Sequence, residues 1–309
     1  SKQTIREALT DPEADISRVV AAVARRRRIF EANEIPSLVP TRITKDVRQA
    51  IRFACAEPGP VEVIGKNRTG KTWSAWVEYL RLLDRAIWFD CPEDSSDKSF
   101  FDEMARQLGI GSLTSKKGNQ VRAQVRSCFQ PGMIEIIFCD EGHRLWPADV
   151  RAKPSRLEFL RGLVDMHKPA AVSVVVLATD QFSECLRLSL EKSDRWAAGQ
   201  WEGRVERWVL DETLSDADLA AVARHHAPGI ADDAVAGLVL QAKASQGFLG
   251  VMVNTIRRAR FLGDGKITLE NIQRAQVQMA RKTKVEEKAH AKVIAPRIRG
   301  RRLLPVKAA

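Results

Sequence analysis

The chain has 309 residues, 44% hydrophobic and 29% charged, which is the composition of a globular protein of about two domains. Its longest apolar run, residues 170–178, is far shorter than the roughly 20 residues a membrane helix needs. No basic-then-apolar leader opens the sequence, so a cytoplasmic protein without a membrane partner is expected. The formal charge of +11 is concentrated: residues 281–309 hold ten Lys/Arg against two Glu, a net +8 that leaves only +3 for the remainder. A basic block of this kind suggests nucleic acid or serves solubility. Cys55, Cys91, Cys128, Cys139 and Cys185 are scattered and form no C-x-x-C pair. That pattern supports neither a zinc site nor a disulfide framework and predicts small buried hydrophobes.

In chain order, residues 15–31 form an amphipathic helix with Ile16, Val19, Val20, Val23 and Ile29 on its apolar face. The basic run Arg25–Arg28 suits phosphates or a solvated helix end equally. Pro36 and Pro40 break the pattern, and Thr44 is the expected N-cap of a helix reaching Cys55. Residues 61–64 then form a short β-branched strand, and Gly65-Lys66-Asn67-Arg68-Thr69-Gly70-Lys71-Thr72 matches the phosphate-loop pattern G-x-x-x-x-G-K-[ST]. Helical spacing resumes from Thr72 to Leu80. Strand, glycine loop and helix are what triphosphate binding requires. Gly65 and Gly70 permit backbone angles that turn the N–H groups of Asn67, Arg68, Thr69 and their neighbours toward phosphate oxygens, and the helix adds its positive end. Lys71 would reach the β/γ-phosphates, and the Thr72 hydroxyl would hold magnesium.

Residues 86–90 read as a second strand, Phe100 to Leu108 as a helix, and 110–120 as a loop carrying Lys116 and Lys117. Helical spacing restarts at Val121 with Arg122 and Arg126 on one side. Ile134 to Glu141 is an apolar run ending in two carboxylates, the pattern of a strand buried on both faces that delivers acids to the carboxyl edge of a parallel sheet. Asp140 would orient magnesium and Glu141 would act as general base on water. A helix cap is the alternative for such a pair. Residues 172–180 form another strand that ends at Thr179, placed either to sense the γ-phosphate or, like Asp180, to cap the helix from Phe182 to Leu190. Val205 to Leu210 reads as a fifth strand, preceded by Arg195, Arg204 and followed within it by Arg207. From Leu214 the period becomes helical: a start capped by Ser215, then helices over about 219–225, 231–243, 248–261 and 268–279, with the turn Gly263-Asp264-Gly265 before the last.

The sequence resembles the AAA+ ATPases, in particular the branch that regulates DNA transposition, comprising the Mu-type phage B protein, TniB, TnsC and IstB. The resemblance rests on Gly65 to Thr72, on Ile137 to Leu145, on Leu177 to Phe182, on Gln200 to Arg207 and on Leu214 to Leu219. It implies an α/β fold, an AAA+ P-loop NTPase with a five-stranded parallel sheet whose phosphate-loop strand is central, followed by a C-terminal α-helical lid domain. The expected layout is a helical extension over 1–40, a nucleotide-binding α/β domain over 41–212, the lid over 213–280 and a basic tail over 281–309. ATP with magnesium would bind between neighbouring copies in a homo-oligomeric ring or helical filament on duplex DNA, marking target DNA for a transposase that stimulates hydrolysis.

In that reading Arg204 is the first choice, and Arg207 the second, for the arginine presented to a neighbour's γ-phosphate. Lys116, Lys117 and Arg122 would touch DNA phosphates, and the tail would add DNA affinity or bind a transposase. Two departures are visible: the lid segment Ser245 to Gly250 holds no arginine, and the next is Arg257, so a nucleotide-sensing arginine is absent or displaced; and the N-terminal region lacks the helix-turn-helix that some members carry. The alternative readings are a replicative helicase loader and a nucleotide-dependent signalling switch.

Overall fold

The computed structural model describes residues 35–279 except 95, 109–117, 130–133, 150–151, 167–170, 193–197, 211–212 and 246–247. The expected N-terminal helix, Lys116, Lys117 and the basic tail lie outside the described residues. The chain divides into two compact units at Leu214/Ser215.

In the first unit, helix α1 (Arg42–Ala56) leads into β1 (Pro60–Ile64), the phosphate loop and α2 (Lys71–Arg81). Then come β2 (Ala86–Asp90), α3 (Asp97–Gln107), α4 (Gly118–Ser127) and β3 (Ile136–Asp140), which ends in a 3₁₀ turn over Gly142–Leu145. Helix α5 (Ser155–Val164), β4 (Ser173–Ala178), α6 (Asp180–Lys192), the short α7 (Ala198–Glu202) and β5 (Glu206–Val209) complete it. The five strands form one sheet in the order β2-β3-β4-β1-β5, and every pair is parallel. The middle strand is therefore β4, and β1 lies between β4 and β5, a correction to the expectation that the phosphate-loop strand is central.

The strands from β1 to β4 are mostly apolar, with Glu62 a buried exception in β1, because helices cover both sides of the sheet. Alternation along β2 shows the two faces: Trp88 stacks on its register partner Phe138 (5.7 Å between centroids) and meets Trp76 and Tyr79 of α2, while Phe89 turns to the other side and packs edge-on against Phe100 of α3 (5.4 Å). Phe101 and Phe159 extend this second cluster to α5. Burying such rings is the main source of stability, each worth about 3–5 kcal/mol against truncation to alanine.

Several boundaries differ from the sequence expectation for local reasons. Thr41, and not Thr44, caps α1: its Oγ1 accepts from the Thr44 N–H at 3.2 Å, and Thr44 sits inside the first turn with its hydroxyl toward Thr41 and Ser74. Helix α3, capped by Ser96, starts at Asp97, three residues ahead of the expected Phe100 start, and α4 begins at Gly118 inside the stretch expected to be a loop. Helices α5 and α7 were not anticipated. Cys91 and Cys139 are buried, Cys128 and Cys185 are partly covered, and Cys55 is exposed, which corrects the uniform buried reading.

The second unit contains α8 (Asp216–His226), α9 (Asp232–Ala244), α10 (Phe248–Leu262) and a further helix, α11, over 269–279. Ser215 caps α8 as expected, accepting from the Asp218 N–H at 3.1 Å. Leu219, Val222, Leu238, Met252, Ile256 and Ile272 form its core. Among the described residues, no helix is long and apolar enough to cross a membrane.

Gly142 fixes the exit of β3. A Cβ there would meet Val176 Cγ1 of β4 at 2.3 Å, with Ala178 Cβ at 3.3 Å. Gly142→Ala is expected to destabilise the protein by about 1–3 kcal/mol in chemical denaturation, since a packed core resists added volume. Unchanged stability would show that the turn has room to relax.

Candidate functional site

The carboxyl edge of the sheet gathers the ends of β1, β3 and β4. Gly65, which leaves β1, donates its N–H to the Ala178 carbonyl at 3.1 Å, tying the loop to β4. Asn67 and Arg68 form its exposed tip, Arg68 has φ 63° and Gly70 has φ 96°. These left-handed angles bend the chain so that α2 begins at Lys71 with its first N–H groups facing the loop. Thr69 is buried and locks the bend by donating its hydroxyl to the Lys66 carbonyl at 3.0 Å. Ser74, one turn into α2, donates back to the Gly70 carbonyl at 2.9 Å.

Lys71 projects into the centre of this cradle. Its ammonium donates to the Gly65 carbonyl at 3.0 Å and also to the Ala178 carbonyl. Burial pushes its pKa down to about 8, against the pull of Asp140, Glu141 and Asp180. Thr72 donates its hydroxyl to Asp140 Oδ1 at 3.3 Å, and the same oxygen accepts the Glu141 N–H at 2.9 Å. Asp140 is buried at the end of β3, and desolvation raises its pKa against the bonds from Glu141 and Thr72.

Glu141 leaves the strand in a left-handed conformation, φ 53° and ψ 43°, which a non-glycine residue adopts at a cost of about 1–3 kcal/mol. The bend has a consequence for chemistry, because it lifts the Glu141 side chain toward solvent (44% exposed) while Asp140 stays inside. His143 Nδ1 sits 3.4 Å from Glu141 Oε2 but makes no hydrogen bond, and burial lowers the His143 pKa. Thr179, at the end of β4, has a buried hydroxyl with no hydrogen-bond partner. The helix-capping alternative for Thr179 is thereby set aside: its carbonyl receives the Phe182 N–H at 2.9 Å, but its side chain caps nothing.

These groups fit a nucleoside triphosphate with magnesium. The cradle offers backbone N–H donors, one buried ammonium and one orphaned hydroxyl to phosphate oxygens. Thr72 and Asp140 offer two hard oxygens, a donor count that suits magnesium completed by phosphate and water. Among the described residues, no group of three or more His, Cys, Asp or Glu could cage a metal by itself.

The remaining expected residues lie elsewhere. Arg204 is exposed in the turn between α7 and β5, its Nη1 donating to the Gln200 carbonyl at 3.3 Å and its Nε 3.6 Å from Asp165 Oδ1. Because β5 runs parallel to β1, with Val61 paired to Glu206 and Ile64 to Val209, Arg204 stands at the amino edge of the sheet. That is the edge opposite the phosphate loop, on the order of 15–20 Å away along the strands. Arg207, the second choice, is half-buried and its guanidinium is engaged by two carboxylates. Its Nε donates to the buried Glu62 at 2.7 Å, and Nη1 and Nη2 donate to Glu202 at 3.1 and 2.8 Å. Arg122 is exposed on α4 with its guanidinium 5.5 Å from the Phe159 ring centroid, so part of its surface is spent on packing.

Sequence reasoning missed Glu62, Trp201 and His143. The signal for Glu62 was a lone carboxylate inside a buried β-branched strand, a residue type almost never fully buried unless paired.

Residues 56–186 match the family profile described as an AAA domain. Among solved structures, the chain is similar to the ORC2 protein of Aeropyrum pernix in ADPNP–ADP complexes (13% identity, TM-score 0.56, covering 82% of this chain and 72% of that one). It is also similar to Cdc6p of Pyrobaculum aerophilum (14%, 0.57, 81% and 70%) and to Drosophila ORC bound to DNA (18%, 0.54, 90% and 70%). No curated protein matches the sequence. The chain is a P-loop ATPase with the α/β AAA+ fold.

Nucleotide binding should report the titration of Lys71. Below pH 8 the free protein already carries the ammonium; above it, binding must take up a proton, because phosphate favours the charged form. Affinity for a fluorescent ATP analogue without magnesium is expected to be flat up to about pH 8 and to weaken by at most about tenfold per pH unit above it. A flat profile to about pH 9.5 would contradict the lowered value.

Proposed function

We propose that this ATPase assembles in its ATP-bound state on duplex DNA, without sequence preference, and regulates the choice of target and the activity of a transposase. The observation that carries the reading is the placement of Arg204. A positive, exposed side chain at the amino edge of the sheet cannot serve its own phosphate site at the carboxyl edge. It suits the site of a neighbouring copy, which makes the reaction a property of a homo-oligomer, whether ring or helical filament. The segments Leu177 to Phe182 and Gln200 to Leu219 support the transposition branch by resemblance, and the DNA in the Drosophila ORC structure supports a DNA-bound role for the fold.

Within the site, the loop N–H groups and Lys71 bind and orient the β- and γ-phosphates, and Thr179 positions the γ-phosphate and the attacking water. Magnesium, held through Thr72 and Asp140, would supply neutralising charge to the phosphates. Glu141 polarises the water as general base. Arg204 of a neighbouring copy stabilises charge on the phosphoryl group as it transfers, the kind of contact worth about 10³–10⁵ in rate. The unit over 213–280 acts as the lid. Lys116, Lys117 and Arg122 give salt-dependent contacts to DNA phosphates, and the tail over 281–309 adds DNA affinity or binds the transposase.

Duplex binding measured by fluorescence anisotropy is expected to be strong with ATP and weak without it. Lys71→Ala should abolish the ATP dependence; if it is retained, the role given to Lys71 is wrong. Glu141→Gln should instead form long-lived DNA complexes and lower turnover by about 10²–10⁴-fold. Normal turnover in that variant would remove Glu141 as the base.

A further inference from the structure

We infer that Glu62 is a positioning residue for Arg204, acting through Trp201 and Arg207. The inference rests on the reading of Arg204 as the residue presented to a neighbouring copy. Glu62 lies on β1 with 0% exposure, where an unpaired carboxylate is strongly disfavoured. Both of its oxygens are engaged: Oε1 accepts from the Trp201 indole N–H at 2.7 Å, and Oε2 accepts from Arg207 Nε at 2.7 Å.

These two partners stand three residues before and three residues after Arg204. One buried carboxylate thus clasps both ends of the segment that carries the exposed arginine. Trp201 passes the restraint on: its side chain is fully buried, and its carbonyl accepts the N–H groups of Arg204 at 3.0 Å and Val205 at 3.1 Å. On the other side, Arg207 closes a second loop of bonds onto Glu202 in α7. Apolar packing alone would fill the same space without fixing the height of the turn, because dispersion contacts tolerate sliding while a carboxylate with two charge-assisted or indole donors does not. Glu62→Gln removes part of this set, since an amide offers one acceptor oxygen and turns two donors toward groups that are themselves donors.

The experiment mixes variants of the full chain and reads ATP turnover with DNA. Glu62→Gln should bind a fluorescent ATP analogue within about threefold of the unaltered protein, yet turn ATP over about 10–100-fold more slowly, the scale of a misplaced catalytic group. Mixed with Glu141→Gln, whose own site is inactive but whose Arg204 is correctly held, it should regain activity well above the sum of the two alone. Mixed with Arg204→Ala it should regain none. Trp201→Phe, which deletes only the indole link and some volume, should behave like Glu62→Gln in the same mixtures and keeps the test open if Glu62→Gln folds poorly.

If Arg204→Ala is rescued by Glu141→Gln while neither Glu62→Gln nor Trp201→Phe is, the positioning role is overturned and Glu62 serves its own subunit's stability. Normal turnover in both Glu62→Gln and Trp201→Phe would overturn it as well. If Arg204→Ala turns ATP over normally, the reading of Arg204 fails, and the positioning role falls with it.

Discussion

A single buried ammonium holds the carboxyl edge of this sheet together. Lys71 is bonded to the carbonyl that ends β1 and to the carbonyl that ends β4, and Gly65 donates to the second of these as well. A charged donor on a carbonyl contributes about 1.5–3 kcal/mol, but taking the ammonium out of water costs a comparable amount, and its pKa falls to about 8 as a result. The balance leaves a cation that is present at neutral pH and readily drawn to phosphate. The geometry around it follows: the left-handed bends at Arg68 and Gly70, the start of α2, and the approach of Thr72 to Asp140 all depend on the loop being pinned at both ends.

The two edges of a parallel sheet are chemically different, and the molecule uses that difference. Every strand delivers its last residues to one edge, so Gly65, Asp140, Glu141 and Thr179 converge without any of their helices needing to move. The opposite edge receives Arg204, which the buried Glu62–Trp201–Arg207 set surrounds in sequence. In the proposed reading, one copy therefore holds a phosphate site lacking its outer positive charge and, at its other edge, a positive charge lacking a phosphate. Stacking copies edge to edge completes both, and a linear duplex is a natural template for such stacking.

The parts of the molecule that were legible in the sequence are those fixed by local rules. The loop from Gly65 to Thr72, the two acids closing an apolar strand and the Ser215 cap each need only a few adjacent residues, and β1, β3 and β4 announce themselves as runs rich in Val and Ile. What escaped was set by tertiary contact. Helix α7 is five residues long and is held by Trp201 packing and bonding to a strand 139 positions earlier, which no local pattern encodes. The Arg207 pairing with Glu62 spans 145 positions, so the carboxylate that engages it could not be found from neighbouring residues. Thr41 and Thr44 are equally good caps by composition, and the choice between them is made by Ser74 on α2, which engages the Thr44 hydroxyl. His143 could be found only once the left-handed bend at Glu141 folded the next residues back.

The proposed activity depends most on one site being built from two copies. Electron cryo-microscopy of the full chain with a non-hydrolysable ATP analogue and duplex DNA tests this directly. The expected result is a ring or filament around the duplex, with nucleotide at each junction and Arg204 of one copy directed at the γ-phosphate held by Lys71 of the next. Monomers on DNA, or a nucleotide enclosed by one copy with Arg204 facing solvent, would contradict it.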